Sequence, residues 1–206
     1  MTRKIALIDY KAGNLTSVRK ALAAVGAAVY TPQTAAELAE ADGIIVPGVG
    51  HFTATAALDA TWTDAIRSRV ADGRPLLGIC LGLQWLYEGS EESPELAGLG
   101  VLSGRCHKLP GDSVDGITIK VPHVGWNALE RTADASIIDG IDDQAQVYFT
   151  HSYVAPVTAD TAAATTHGQR FASIVQRGVV AGVQFHPEKS GDVGLRILRN
   201  FMKMVG

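Results

Sequence analysis

Leu76-Leu77-Gly78-Ile79-Cys80-Leu81-Gly82-Leu83-Gln84 (LLGICLGLQ) is an apolar run that ends on a cysteine and continues in a helical pattern. Residues 76–80 predict a short buried strand, and residues 81–87 a short helix opening directly behind it. Gly78 and Gly82 lie two places either side of Cys80. This is the G-x-nucleophile-x-G form, in which small residues let a strand fold sharply into a helix and push the central side chain into the open. A helix N-terminus stabilises a thiolate and aims the Leu81 N–H at any oxyanion formed beside it. A cysteine ending a strand is, taken alone, more often a packed core residue; the flanking glycines favour the nucleophile.

Upstream of this elbow two periods alternate. Residues 4–9 (KIALID) predict a buried strand, and Val18, Leu22 and Val25 then share one helical face ahead of Gly26, a candidate C-cap. A second strand is expected over 28–30, and Thr34 with Glu37 has the form of a capping box opening a brief helix. Residues 44–46 predict a third strand, stopped by Pro47-Gly48. A helix over 58–71 follows, with Leu58, Trp62, Ile66 and Val70 near period four and Gly73 ending it. Downstream, strands crowd together at 117–121, 147–151, 173–176 and 179–185, before a last helix over 194–204. The expected class is α/β: a mostly parallel central sheet with helices on both faces, extended by antiparallel strands. No repeat, low-complexity tract or linker interrupts the chain, so residues 1–206 are expected to form a single domain.

The 206 residues are enough to bury roughly 70% of the unfolded surface. A composition 47% hydrophobic and 19% charged, with 22 Gly and 8 Pro neither periodic nor clustered, excludes collagen-like and disordered chains. A formal charge of -3 offers no basic stripe for nucleic acid. The longest apolar stretches, 44–49 and 76–83, fall short of the ~18–20 residues of a membrane span, and a strand-like run begins too early for a signal peptide. A cytoplasmic protein is expected. Cys80 and Cys106 form no CxxC pair, which argues against a disulfide scaffold or a cysteine zinc site.

A nucleophilic cysteine needs a base and a group to orient that base. His51, His107, His123, His151 and His167 sit in loops or at strand edges, where a histidine usually packs or faces water. His186 differs: in Phe185-His186-Pro187-Glu188 the proline holds His186 extended, so that Glu188, two residues on, can reach its imidazole. Cys80, His186 and Glu188 thus form a candidate catalytic triad, and no further ligands at metal-binding spacing accompany them. Pro47-Gly48-Val49-Gly50 ends the third strand at the carboxyl edge where open α/β sheets place ligands, and its glycines would let the Val49 N–H turn toward an oxyanion.

GICLGLQ at 78–84, PGVG at 47–50 and HPEKS at 186–190 together resemble the triad-type, class I glutamine amidotransferases. DYKAGNLTSV at 9–18 and KVPHVGWN at 120–127 are similar to the glutaminase subunits of imidazole glycerol phosphate synthase, with Lys11 standing where that family more often has Gly. The resemblance covers nearly the whole chain. It implies that Cys80 attacks the side-chain amide of glutamine, that His186 transfers protons and that Glu188 orients it. It further implies oxyanion donors at Val49 and Leu81, and a glutamine-binding surface of Gly48, Gly50, Gln84, Glu92, His151, Ser152 and Tyr153. The implied partner is a separate (β/α)8-barrel cyclase of histidine biosynthesis that receives the ammonia, met by a face including Asn14, Trp126 and Lys189. No metal or organic cofactor is implied. A glutaminase serving another synthase, such as pyridoxal phosphate synthase, and a catalytically silent module on the same fold are the alternatives.

Overall fold

A computed structural model describes residues 3–13, 15–111, 113–114 and 117–206. The first half runs β1 (Lys4–Leu7), α1 (Leu15–Ala24), β2 (Ala28–Tyr30), β3 (Gly43–Gly48), α2 (Ala60–Ala71), β4 (Leu76–Cys80) and α3 (Leu81–Leu86). The second supplies β5 (His123–Ala128), β6 (Glu130–Arg131), β7 (Gln146–His151), β8 (Thr161–His167), β9 (Gln169–Arg177), β10 (Val180–Val183) and α4 (Gly191–Val205). The main sheet has the order β6-β8-β9-β10-β4-β3-β1-β2. It is parallel from β10 through β2 and antiparallel from β6 through β10.

The pleat divides the core between the sheet's two faces. Ile5, Leu7, Ile45, Leu77 and Ile79 pack with Val18 and Leu22 of α1 and with Ile197 and Phe201 of α4. Ala6, Ile44, Val46 and Leu76 pack the other way, with Ile66 of α2 and Leu83 of α3. Every residue of β3 and β4 is buried, as expected for central parallel strands covered on both sides. Register then places the site: Gly48 pairs with Cys80 across β3 and β4, while β10 lies on the other flank of β4 with Val183 opposite Ile79. The PGVG loop, the elbow and the segment leading to His186 therefore leave the sheet side by side at its carboxyl edge.

Five expectations need correction, the first being the last helix, which starts at Gly191 rather than 194. The helix expected over 58–71 begins at Ala60, because Asp59 Oδ1 accepts the Thr61 and Trp62 N–H groups at 2.9 and 3.2 Å. Thr34 and Glu37 form no capping box: Thr34 Oγ1 donates to Glu37 Oε1 at 3.1 Å, and Glu37 Oε2 takes the Gln33 N–H instead, in front of a 3-10 turn, Ala35–Glu40. The strand expected over 117–121 is limited to Ile117–Thr118, and the longer strand, β5, starts beyond the cis peptide between Val121 and Pro122. Finally β8, with the sequence TAAATTH, was not expected as a strand; alanine gives it little strand character, and six register positions with β9 supply what propensity lacks. A separate four-stranded sheet links Tyr153–Val154, Arg105–Lys108, Gly89–Ser90 and Ser93–Ala97 beside α3. Among the described residues no helix is long and apolar enough to cross a membrane.

Candidate active site

Cys80 has φ +54 and ψ -107, a conformation of the kind that costs on the order of 1–3 kcal/mol and that the surroundings must impose. The glycines make it possible. A Cβ on Gly82 would collide with the Val46 carbonyl, and one on Gly78 would lie 2.6 Å from the Gly82 oxygen. The elbow does not lift the thiol into solvent as expected, however: Cys80 is only 4% exposed, because α3 tucks back against β3 and β10 and leaves the sulfur on a cleft floor.

His186 follows β10, and its backbone is held by Tyr148 and Ser190, which also bond each other. Its N–H donates to the Tyr148 carbonyl at 3.0 Å, Ser190 Oγ donates to its carbonyl at 2.7 Å, and the same Oγ accepts the Tyr148 N–H at 3.0 Å. Its Nδ1 lies 2.8 Å from Glu188 Oε1, with both side chains almost fully buried. Among the described residues Nε2 has no other hydrogen-bond partner and is left for Cys80. Burial opposes a charge on this imidazole, but bonding to Cys80 and Glu188 and their negative charge outweigh it, so its pKa is raised.

Sequence reasoning missed Gln184, which is fully buried, donates to Cys80 Sγ at 3.7 Å and takes a bond from Gln84 Nε2 at 3.2 Å. The signal was present: in an extended chain residues 184 and 186 share a side. Gln84 Nε2 also donates to the Tyr153 carbonyl at 2.9 Å.

Above the thiol lies a cleft of about 290 Å³ whose wall includes Gly50, Gln84, Glu92, His151, Ser152 and Tyr153, with Cys80 and Leu81 at its base. Six of the seven residues expected to bind glutamine therefore meet in one place. Glu92 is anchored at the rim, its Oε2 accepting the Phe52 N–H at 2.7 Å. Gly48 is the exception: it lines a second cavity, of about 110 Å³, together with Val49, His186, Glu188 and Lys189. Cys80 thus lines one cavity, and His186 and Glu188 the other. A wider groove of about 610 Å³ beside Arg131 and Lys203 carries none of these groups.

The Val49 N–H donates to the Ala12 carbonyl at 3.1 Å and so is already engaged, whereas the Leu81 N–H opens the first turn of α3. Of the expected partner face, Trp126 is 57% exposed and meets Tyr148 edge-on at 6.1 Å, while Lys189 Nζ lies 5.6 Å from the centre of the same ring. Asn14 lies outside the described residues. Lys11 has φ +65, which explains why glycine suits its position; Asp9 holds it by accepting the Lys11 N–H at 2.9 Å and pairing with Nζ at 3.1 Å. Among the described residues no group of three or more His, Cys, Asp or Glu is arranged to hold a metal ion.

The family described as glutamine amidotransferase class-I matches residues 6–205, and the chain belongs to it. The fold agrees with solved structures titled glutamine amidotransferase (TM-score 0.75, 22% identity, 98% of both chains) and PurLQS from Thermotoga maritima (TM-score 0.77, 17% identity, all of both chains). Within that class the chain belongs with the HisH subunits of imidazole glycerol phosphate synthase. It is 45% identical to the subunit HisH of Halalkalibacterium halodurans over 98% of this chain and 96% of that one. Against the subunit HisH of Gloeobacter violaceus the identity is 48%, over 98% of this chain and 90% of that one.

Proposed function

We propose that this chain acts as one domain, in the cytoplasm, as the glutaminase of imidazole glycerol phosphate synthase, releasing ammonia from L-glutamine and passing it to a (β/α)8-barrel cyclase subunit in histidine biosynthesis. The observation that carries the reading is that Cys80 lies at the base of the cleft while His186 and Glu188, 2.8 Å apart, line the second cavity. Glutamine occupies the cleft with its α-ammonium toward Glu92. Cys80 Sγ attacks the side-chain carboxamide carbon while its proton passes to His186 Nε2, and the Leu81 N–H stabilises the oxyanion. As the C–N bond breaks, His186 returns that proton to the leaving nitrogen, and ammonia departs on the side of Gly48, Val49 and Lys189. Water deprotonated by His186 then attacks the thioester, releasing glutamate and the free thiol. Glu188 accepts the His186 Nδ1–H, keeps Nε2 turned toward Cys80 and stabilises the imidazolium that forms when Nε2 carries the proton.

Because the Val49 N–H is bonded to Ala12, the second oxyanion donor arrives only when the Gly48–Val49 peptide turns, which ties full activity to an event outside the cleft. The partner meets the face carrying Trp126 and Lys189, beside the second cavity. The test is to co-express the chain with a cyclase subunit and measure glutamate release alongside glutamine-dependent cyclase product. Glutamate and product formed in equal amounts support the reading; no glutamine hydrolysis by an intact complex overturns it.

A further inference from the structure

We propose that His123 is a positioning residue for glutamine recognition: through His151 it fixes the Tyr153 carbonyl beside Gln84, and it ties that carbonyl to the partner-facing strand β5. The proposal deepens the glutaminase reading and rests on it. It starts from a chain of hydrogen bonds in which each proton is assigned by its neighbours. The Tyr153 carbonyl can only accept, so His151 Nδ1, 3.1 Å away, carries a proton. A neutral His151 then presents a lone pair at Nε2, and His123 Nδ1, 3.3 Å distant, must donate to it. His123 in turn offers a lone pair at Nε2 to Asn127 Nδ2 at 3.3 Å. The Asn127 amide is oriented independently, for Oδ1 accepts the Ala128 N–H at 2.8 Å and Nδ2 donates to the Thr166 carbonyl at 3.1 Å. Both ends of the relay agree on its direction.

The His123 ring is also clamped. His167 stacks on it with centroids 4.0 Å apart and planes 17° apart, and is itself held by a 2.8 Å contact from Nε2 to the Lys120 carbonyl. Phe149 stacks on it at 4.8 Å and 22°. Burial, reinforced by the neighbouring imidazoles, lowers His123 to about 4 and His151 to about 3, which keeps both rings neutral and the donor direction single. The two ends of the relay reach different places. Tyr153 and Gln84 line the cleft, whereas Asn127 adjoins Trp126, whose side chain leaves the opposite face of β5 and is exposed. A displacement of β5 by whatever docks on Trp126 therefore moves the donors that hold the cleft.

Packing alone would make any ring of the right size adequate at 123; positioning requires a donor. In the complex with its partner, His123→Phe keeps an aromatic ring and deletes the donor, and should raise KM for glutamine about tenfold, near the worth of one hydrogen bond, with kcat changed less than about threefold. His123→Asn puts an amide N–H close to the place of Nδ1 and should restore KM to within about threefold of the unsubstituted chain. Nitrogen-15 spectra of the histidine-labelled, unsubstituted chain should show the Nδ1–H tautomer at both His123 and His151, a readout that survives even if a variant fails to fold. Equal KM values for the Phe variant, the Asn variant and the unsubstituted chain, or an Nε2–H tautomer at either residue, would overturn the proposal. An unsubstituted complex that hydrolyses no glutamine sinks the glutaminase reading instead, and the tautomers still decide the relay.

Discussion

A Cβ at residue 48 would collide with Tyr10 Oη and sit 2.9 Å from Leu81 Cβ, so Gly48 matters for space before it matters for rotation. Tyr10 is 6% exposed, its hydroxyl has no hydrogen-bond partner among the described residues, and burial pushes its pKa far up, so the phenol stays neutral beneath the loop. Gly48→Ala should displace the loop and depress both resting and stimulated glutamine hydrolysis, and adding Tyr10→Phe, which removes the colliding oxygen, should recover part of the loss. A double-mutant cycle on stimulated kcat measures this coupling, and strict additivity would refute the collision. Cys80→Ala removes the proposed thioester-forming group. Glutamine turnover should fall by about 10⁴-fold or more, while an ammonium salt still drives the assembled synthase. Loss of the ammonium-dependent activity as well would contradict the division of labour between subunits. The candidate triad stands out in the sequence because its pattern is local, a glycine-flanked cysteine and a His-Pro-Glu step, and the fold sets His186 Nδ1 2.8 Å from Glu188 Oε1. Gln184, Tyr10 and His123 do not stand out, since their roles depend on what the fold brings against them.

Elements were legible where periodicity is strong and neighbours few. The parallel strands and α4 stood out, although α4 runs from Gly191 rather than from 194. The boundary errors have physical causes. At α2, period four extends back to Leu58, but the Asp59 carboxylate satisfies the first free N–H groups and sets the start. Asp59→Ala should therefore cost about 1 kcal/mol, seen as a lower denaturant midpoint with unchanged slope, whereas Asp59→Ser should retain most of the stability. For β8 the sequence offers alanines, threonines and a closing histidine, and the ladder to β9 decides. That dependence on a partner strand is invisible to any reading of one segment at a time.

For the molecule as a whole, acid should act through the buried histidines. In the unfolded chain His123 and His151 bind protons near pH 6.5, but in the fold they do so only near 4 and 3, so the unfolded state holds more protons throughout that interval. Stability should thus fall as pH drops from about 6.5 toward 4, with about two protons taken up on unfolding near pH 5. The raised pKa of His186 has the opposite sign: its contribution is complete below pH 6.5 and fades as pH rises, so it does not account for acid loss. Thermal melts from pH 7 to 4.5 check this, and a His123→Asn chain should show a slope shallower by one proton. On the outer face, Trp126→Ala should weaken partner binding by about 2 kcal/mol or more with an unchanged melting temperature, and Lys189→Glu should lower affinity or coupled turnover. Titration calorimetry that finds both affinities unchanged, with unchanged coupled turnover for Lys189→Glu, would move the docking face elsewhere. One further consequence comes from Cys106. It is fully buried, its Sγ sits 3.8 Å from the Gln84 carbonyl, and burial drives its pKa strongly upward, so it remains a sealed thiol while Cys80 opens on the cleft. An alkylating glutamine analogue should therefore take up one equivalent per native chain, and a general thiol reagent two once the chain is denatured. The chain carries its own internal standard: the ratio of those labels counts the competent molecules in any preparation.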